Sequence, residues 1–390
     1  MTLAAGDADG PRRSLILAGG GMRVAYQAGV LVALEEAGLR FQHADGTSGG
    51  TFNLAMLLSG VTPAQACERW RALKLRSFVA PDGIRRRVFP ALGVDVAKLR
   101  AARGIAGTFN VCDFAAKTCV AIPHEEADLD VLTAGVSLPI VSPAVRRGGR
   151  TLLDAVWIKD ANLTEALRRG SEELWLVWCI GNHGAYRAGP FQQYVHMIEI
   201  AANGALNEEL ALVRERGARL HVIRPRVPLP LDPDFFLGRI DASTLIAMGY
   251  RDAVAYLQDP RGVTPDEHAT RMLDPVPGVA VRERAGSLRL TWEVDDLAAF
   301  EREPRGTVVG DIEGRLLSGG RFAVERGVAE ASFDGGVHVR RPLRGGSLEL
   351  DGVELRTSPT WWDVHARGVA GPRARARVHA RFARWLRSAR

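Results

Sequence analysis

The stretch Ser14-Leu15-Ile16-Leu17-Ala18-Gly19-Gly20-Gly21-Met22-Arg23 decides how this chain is read. Ser14 to Ala18 is an apolar run of strand length that ends in three consecutive glycines. Residues 24–37 follow as a segment long and apolar enough to be a buried helix, and Gly38 stands where a helix stop belongs. Strand, tight glycine turn and buried helix in that order open an α/β fold.

The next informative stretch is Gly46-Thr47-Ser48-Gly49-Gly50. The Gly-x-Ser-x-Gly pattern places a serine on a sharp strand-to-helix turn with its hydroxyl exposed. Together the two stretches suggest a nucleophile, Ser48, and a loop of bare backbone N–H groups aimed at an oxyanion. Plainer readings exist for each. Ser48 could cap the helix that follows, and the glycine run could be an ordinary turn or a nucleotide-binding loop. The combination, with both patterns at strand–helix junctions, favours the catalytic reading.

Outward from these stretches, a short strand is expected at 41–45, a helix at 51–59 and an amphipathic helix at 63–76 with Ala66, Trp70 and Leu73 on one face. Residues 81–107 carry Arg85-Arg86-Arg87 and read as a surface excursion, with a mobile flap as the alternative. Further strands are expected at 108–113, 118–122, 151–153, 174–180 and 219–223, with helices at 129–137, 191–216 and 242–257. This alternation predicts a mostly parallel sheet with helices on both faces. Residues 259–278 are proline-rich and break the pattern. Beyond them Leu288, Leu290, Trp292 and Val294 alternate, and Gly319-Gly320, Gly335-Gly336 and Asp351-Gly352 mark tight turns. The expected organisation is a disordered lead-in over 1–13, an α/β domain over 14–258, a linker over 259–278, a small antiparallel β domain over 279–366 and a basic amphipathic tail over 367–390.

The net charge of +6 is concentrated in that tail, which holds eight arginines and no acid; the rest of the chain sums to −2. Val378, Phe382, Trp385 and Leu386 fall on one helical stripe there, so contact with an anionic membrane through 371–390 is an expectation, with docking on the β domain as its competitor. No basic patch interleaved with aromatics points to nucleic acid. No apolar run is long enough to cross a bilayer, and no secretion signal is read at the start, so a cytoplasmic protein is expected. The four cysteines are scattered, and no metal or organic cofactor is expected.

An α/β-hydrolase places several strands before its serine elbow, whereas here the elbow follows the first strand–loop–helix unit. Gly19-Gly20-Gly21-Met22-Arg23 followed by Gly46-Thr47-Ser48-Gly49-Gly50 resembles the patatin-like phospholipases, over roughly residues 14–257. The resemblance implies a Ser–Asp dyad without histidine. It assigns Ser48 as nucleophile and Asp154, after the strand 151–153, as base, with Asp160 as runner-up. It implies oxyanion donation by the N–H groups of Gly20 and Gly21, with Gly19, Arg23 and Gly49 beside them and Gly46 and Gly50 shaping the elbow. A carboxylic-ester hydrolase acting on lipids follows, with a non-catalytic lipid-binding protein as the alternative. Two positions depart from the family pattern: Val24 and Ala155 stand where it has glycine. A classical triad would need a histidine, for which His183 and His43 are the candidates, and a dinucleotide site would recruit Asp45. The β-rich end faintly resembles an accessory module of bacterial lipid-processing enzymes.

Overall fold

The structure, a computed structural model, describes residues 3, 10–79, 82–138, 142–357 and 363–389. The expected lead-in falls largely outside these residues. Leu3 is described, is buried, and accepts a hydrogen bond from the Phe41 N–H.

Strand β1 (Arg13–Leu17) runs inside an eight-stranded sheet, parallel to β2 (His43–Thr47) on one side and to a strand at Glu173–Val177 on the other. Its apolar residues are buried on both faces, as continuous apolar strands of parallel sheets are. β2 starts two residues later than the pattern suggested. Parallel pairing extends from β3 (Ala106–Asp113) through β2 and β1 to the last strand, Arg219–Ile223. The remaining strands, β4 (Thr118–Pro123), β5 (Val145–Arg147) and β6 (Arg150–Asp154), add on antiparallel, so the sheet is mixed rather than mostly parallel. Short connections allow only antiparallel neighbours, and β3 to β4 and β5 to β6 are joined by turns.

The register along β3 positions the site. β4 occupies one edge of β3 from Thr108 to Asp113. On the other edge β2 pairs with residues Ala106 to Asn110 and β6 takes over from Val111 to Asp113. Thr47 faces Asn110 and Asp154 faces Val111, so the ends of β2 and β6 meet tip to tip.

Helix α1 (Ala25–Glu36) follows the glycine turn, and α2 (Gly50–Leu58) follows Ser48. α1 crosses Ala242–Leu257 at backbone contact: a Cβ on Gly29 would lie 1.9 Å from the Ile246 carbonyl oxygen, and one on Gly249 2.0 Å from that of Tyr26. Only glycine allows that approach. Residues 82–105 form short helical turns with Val88, Phe89, Leu92 and Leu99 buried, which makes them a packed excursion over α2 rather than a flap on Ser48.

Among the described residues the C-terminal sheet has ten antiparallel strands between Gly278 and Arg367, two more than the first. It is therefore not the small sheet expected. The helix Pro372–Ser388 buries Val378 and Phe382 against its inner face, with Trp385 and Leu386 packed beside them and the Phe300 and Trp385 rings 4.5 Å apart. The apolar stripe that would enter a membrane is thus covered, and Arg377, Arg384 and Arg387 remain exposed. Among the described residues, no helix is long and apolar enough to cross a membrane.

Candidate active site

Ser48 sits between β2 and α2 with φ 50°, a left-handed backbone that non-glycine residues seldom adopt. The turn is held from both ends. The Ser48 carbonyl accepts from Thr51 N–H at 2.9 Å, and a Cβ on Gly50 would lie 2.0 Å from the Leu17 carbonyl oxygen. Close packing of α2 on β1 therefore fixes where the serine points. Gly46 packs on Leu54, and Gly49 packs on the Gly21 carbonyl and Val24, so the elbow and the glycine loop are one packed unit.

Gly20 (φ 154°) and Gly21 (φ 57°) turn the chain from β1 into the 3-10 segment that starts α1. Their N–H groups take no part in the hydrogen bonds found among the described residues, whereas Gly19 N–H donates to the Asp160 carbonyl and Met22 N–H to Asp232 Oδ1 at 2.9 Å. The helix that follows adds partial positive charge at this end. Val24 has φ −68° and ψ −6°, and Ala155 lies in a 3-10 turn, so neither position needs the glycine found in the related pattern. Arg23 donates Nε–H to the Gly20 carbonyl at 2.9 Å and holds the loop from outside.

Asp154 is completely buried at the end of β6. Its Oδ1 accepts from Val156 N–H at 2.9 Å, while Oδ2 forms no hydrogen bond of regular geometry. Burial pushes its pKa up to about 7, and the nearby Ser48 hydroxyl and the Val156 N–H hold it from rising further. Asp160 is buried as well. Its carboxylate lies against Gly19, where an added Cβ would come within 2.0 Å of Oδ1, and 2.8 Å from the Ser48 Cβ. Burial, then the neighbouring Asp154, raise its pKa well above the usual range, partly countered by Arg23. Ser48, Gly20, Gly21 and Arg23 share a cavity of about 270 Å³ whose other walls include Leu138, Val156, Ile180, Tyr194, Ile198 and Phe236. The cavity is mostly apolar.

The two histidines lie elsewhere. His43 is buried between Ser14 Oγ (2.8 Å) and Thr108 Oγ1 (2.9 Å), and burial lowers its pKa to about 3, which makes it a satisfied core residue. His183 lies 3.8 Å from Glu199 and 3.7 Å from Asp274 and does not line the Ser48 cavity. Asp45 is buried among Thr108 and Asn110 and contacts no open site. One residue escaped the sequence reading. Asp232, half-buried at the start of the short helix Asp232–Phe236, presses its carboxylate on Gly21 and lines the Ser48 cavity. Burial raises its pKa, with Arg23 and the Met22 N–H opposing. A lone acid between prolines in Pro230-Leu231-Asp232-Pro233 was the only signal available. Among the described residues, no cluster of His, Cys, Asp or Glu has the makings of a metal site.

A serine in a left-handed turn, packed on a glycine loop and beside a buried acid on the same edge of β3, is an arrangement that can be compared with known families. Residues 15–110 match the patatin-like phospholipase family model. The patatin-like segment contains the glycine loop, Ser48 and most of β3, and ends before Asp154. No curated protein matches the chain in sequence. Among solved structures, VipD from Legionella pneumophila aligns with a TM-score of 0.37 and 11% identity over 64% of this chain and 67% of that one. The complex of full-length SpcU with full-length ExoU, from the type III secretion system of Pseudomonas aeruginosa, aligns with a TM-score of 0.30 and 16% identity. That match covers 64% of this chain and 52% of the other, so this chain spans about half of it. Such scores carry no statement about activity.

Proposed function

We propose that the chain is a serine hydrolase of carboxylic esters of lipids, with Ser48 as nucleophile and Asp154 as its base. One observation carries the reading: Ser48 is held in a costly left-handed turn at an apolar cavity, beside a buried acid whose second oxygen has no other hydrogen-bond partner. Ser48 Oγ attacks the ester carbonyl carbon while its proton passes to Asp154 Oδ2. The carbonyl oxygen becomes an oxyanion that the Gly20 and Gly21 N–H groups stabilise. Collapse of this intermediate breaks the bond to the alcohol, which leaves with the proton held by Asp154. Water then repeats the sequence on the acyl-enzyme: Asp154 takes its proton and returns it to Ser48 as the acid departs. The apolar walls suit an acyl chain.

The alternative, a non-catalytic lipid-binding protein, draws on Asp232, whose carboxylate lies against the oxyanion loop and opposes negative charge there. A fluorophosphonate that labels reactive serines separates the two. Labelling of the wild type and its loss in Ser48→Ala, with parallel loss of short-chain nitrophenyl ester hydrolysis, is expected. An unlabelled wild-type protein sinks the hydrolase reading.

A further inference from the structure

A second cavity, of about 410 Å³, lies between the two sheets and shares Arg23, Val195, Glu199, Leu231 and Pro233 with the Ser48 cavity. Six arginines line it. Arg23, Arg187 and Arg239 come from the α/β part, and Arg282, Arg367 and Arg375 come from the C-terminal part.

The acids in its walls are already paired. Glu199 accepts from His196 at 2.8 Å, Asp234 lies 2.6 Å from Arg239 and 3.1 Å from Arg375, and Arg367 reaches Glu293 at 3.0 Å and Asp295 at 3.5 Å. Arg282 pairs with Asp241 at 3.0 Å. Among the described residues this leaves two guanidinium groups, Arg23 and Arg187, with no ion-pair partner. Arg23 gives Nε–H to the Gly20 carbonyl, and Arg187 gives one N–H to the Gly368 carbonyl at 3.0 Å. Both face a partly enclosed space; Arg23 is offset by the carboxylates of Asp160 and Asp232 nearby, whereas Arg187 has no acid at ion-pair distance among the described residues and favours an incoming anion. A guanidinium presents donors in a planar fork that matches a phosphate.

Resting on the hydrolase reading above, we propose that this cleft is the headgroup subsite of the same active site, and that it selects a phosphate-bearing anionic headgroup, with Arg187 as its specificity-determining residue. The acyl chain lies in the apolar cavity, the ester at Ser48, and the phosphodiester beyond Arg23 toward Arg187. A zwitterionic headgroup brings a cation as well, and no wall carboxylate is left unpaired to receive it. The C-terminal sheet, on this account, completes the substrate site by supplying half of the cleft.

The test separates binding from turnover. Ser48→Ala protein is titrated calorimetrically with dihexanoyl phosphatidylglycerol and dihexanoyl phosphatidylcholine below their micelle concentrations, and with glycerol phosphate. Using monomers removes any general attraction of a basic protein to an anionic surface. The anionic lipid is expected to bind at least about tenfold more tightly than the zwitterionic one, and glycerol phosphate more weakly than either because it lacks acyl chains. Adding Arg187→Gln should bring the two lipids to within about twofold of each other, and Arg187→Lys, which keeps the charge but loses the fork, should restore only part of the preference. Arg187 makes a single side-chain hydrogen bond to a surface carbonyl, so both variants should melt as the parent does. Equal binding of the two lipids, or a preference unchanged in Arg187→Gln, overturns the subsite. Glycerol phosphate binding as tightly as the anionic lipid makes this a free-phosphate site and overturns it too. Tight, Arg187-dependent binding with no turnover by the wild type would instead remove the hydrolase reading and leave the subsite standing.

Discussion

Around Ser48, the buried carboxylates Asp154 and Asp160 and the half-buried Asp232 have, among the described residues, no arginine or lysine at ion-pair distance, and desolvation raises the pKa of each. At the junction of the two sheets Glu293 is buried like Asp154 and Asp160, yet its pKa is lowered. Burial alone would raise it, but Arg251 and Arg367 on either side more than offset that. Depth is the same in both regions, and pairing is what differs. The junction is arranged so that its acid stays charged and holds two parts together. The candidate site keeps its acids unpaired, which leaves Asp154 near neutrality and able to exchange a proton.

The largest expected effect breaks the first half of this comparison. Ser48→Ala should lower ester turnover at least roughly 10³-fold, measured on a nitrophenyl ester, because it removes the hydroxyl assigned as nucleophile beside Asp154. Stability should change by less than about 1 kcal/mol, since no cavity is created. Next comes the junction. Glu293→Ala leaves Arg251 with Asp252 alone and Arg367 with a distant Asp295, and should destabilise the protein by about 3 kcal/mol in urea unfolding. Equal stability of this variant and the wild type would mean that the junction pairs contribute nothing.

Asp154→Asn sharpens the contrast because its effects on activity and stability have opposite signs. Turnover should fall roughly 100-fold, a loss of about 2.7 kcal/mol of transition-state stabilisation. In the wild type the acid must be ionised to accept a proton, so activity should rise with pH through about 7. A raised folded-state pKa means that the acid's contribution to stability is fully present below its usual value of 3.8 and is lost as pH rises through about 7. The asparagine variant should therefore be more stable than wild type at pH 8, on the order of 4 kcal/mol, and no more stable below pH 4. Glu293 runs the other way: its contribution is present above its usual 4.5 and is lost as pH falls through its lowered folded value. Thermal melts of both variants from about pH 3 to pH 8 should diverge accordingly.

The smallest effect concerns Val24. Its backbone is helical and its side chain is buried against Gly20 and Gly49, so Val24→Gly should cost roughly 2 kcal/mol from helix propensity and lost packing. Higher turnover in that variant would show that the loop is held in the wrong shape by the valine.

The glycine loop, the elbow and most strand and helix positions were legible because each leaves a local trace: an apolar run, a glycine cluster, a switch of period. Asp232 was not, since its approach to Gly21 brings together residues far apart in the chain and no local pattern encodes that. The antiparallel part of the first sheet was missed because Val145–Arg147 and Arg150–Asp154 are short and polar at their outer ends. The tail's destination could not be read from its own stripe, which suits a membrane and a sheet equally. Only the apolar cluster on the second sheet, with Phe300 of the short helix Leu297–Arg302 packed against Trp385, distinguishes them.

Because β2 ends and β6 begins along one edge of β3, that strand acts as a ruler. Thr47, the residue before Ser48, is set by Asn110 and Asp154 by Val111, so these two strand ends stand one residue step of β3 apart, about 3.3 Å. Insertions in the turns and short helices between Asp113 and Arg150 leave that step untouched, and length variation there is cheap. A single residue gained or lost inside β3 between Asn110 and Val111 would shift the acid by a full step and turn alternate side chains to the opposite face. Among natural or engineered variants, length changes should therefore accumulate after residue 113 and be absent from 106–113.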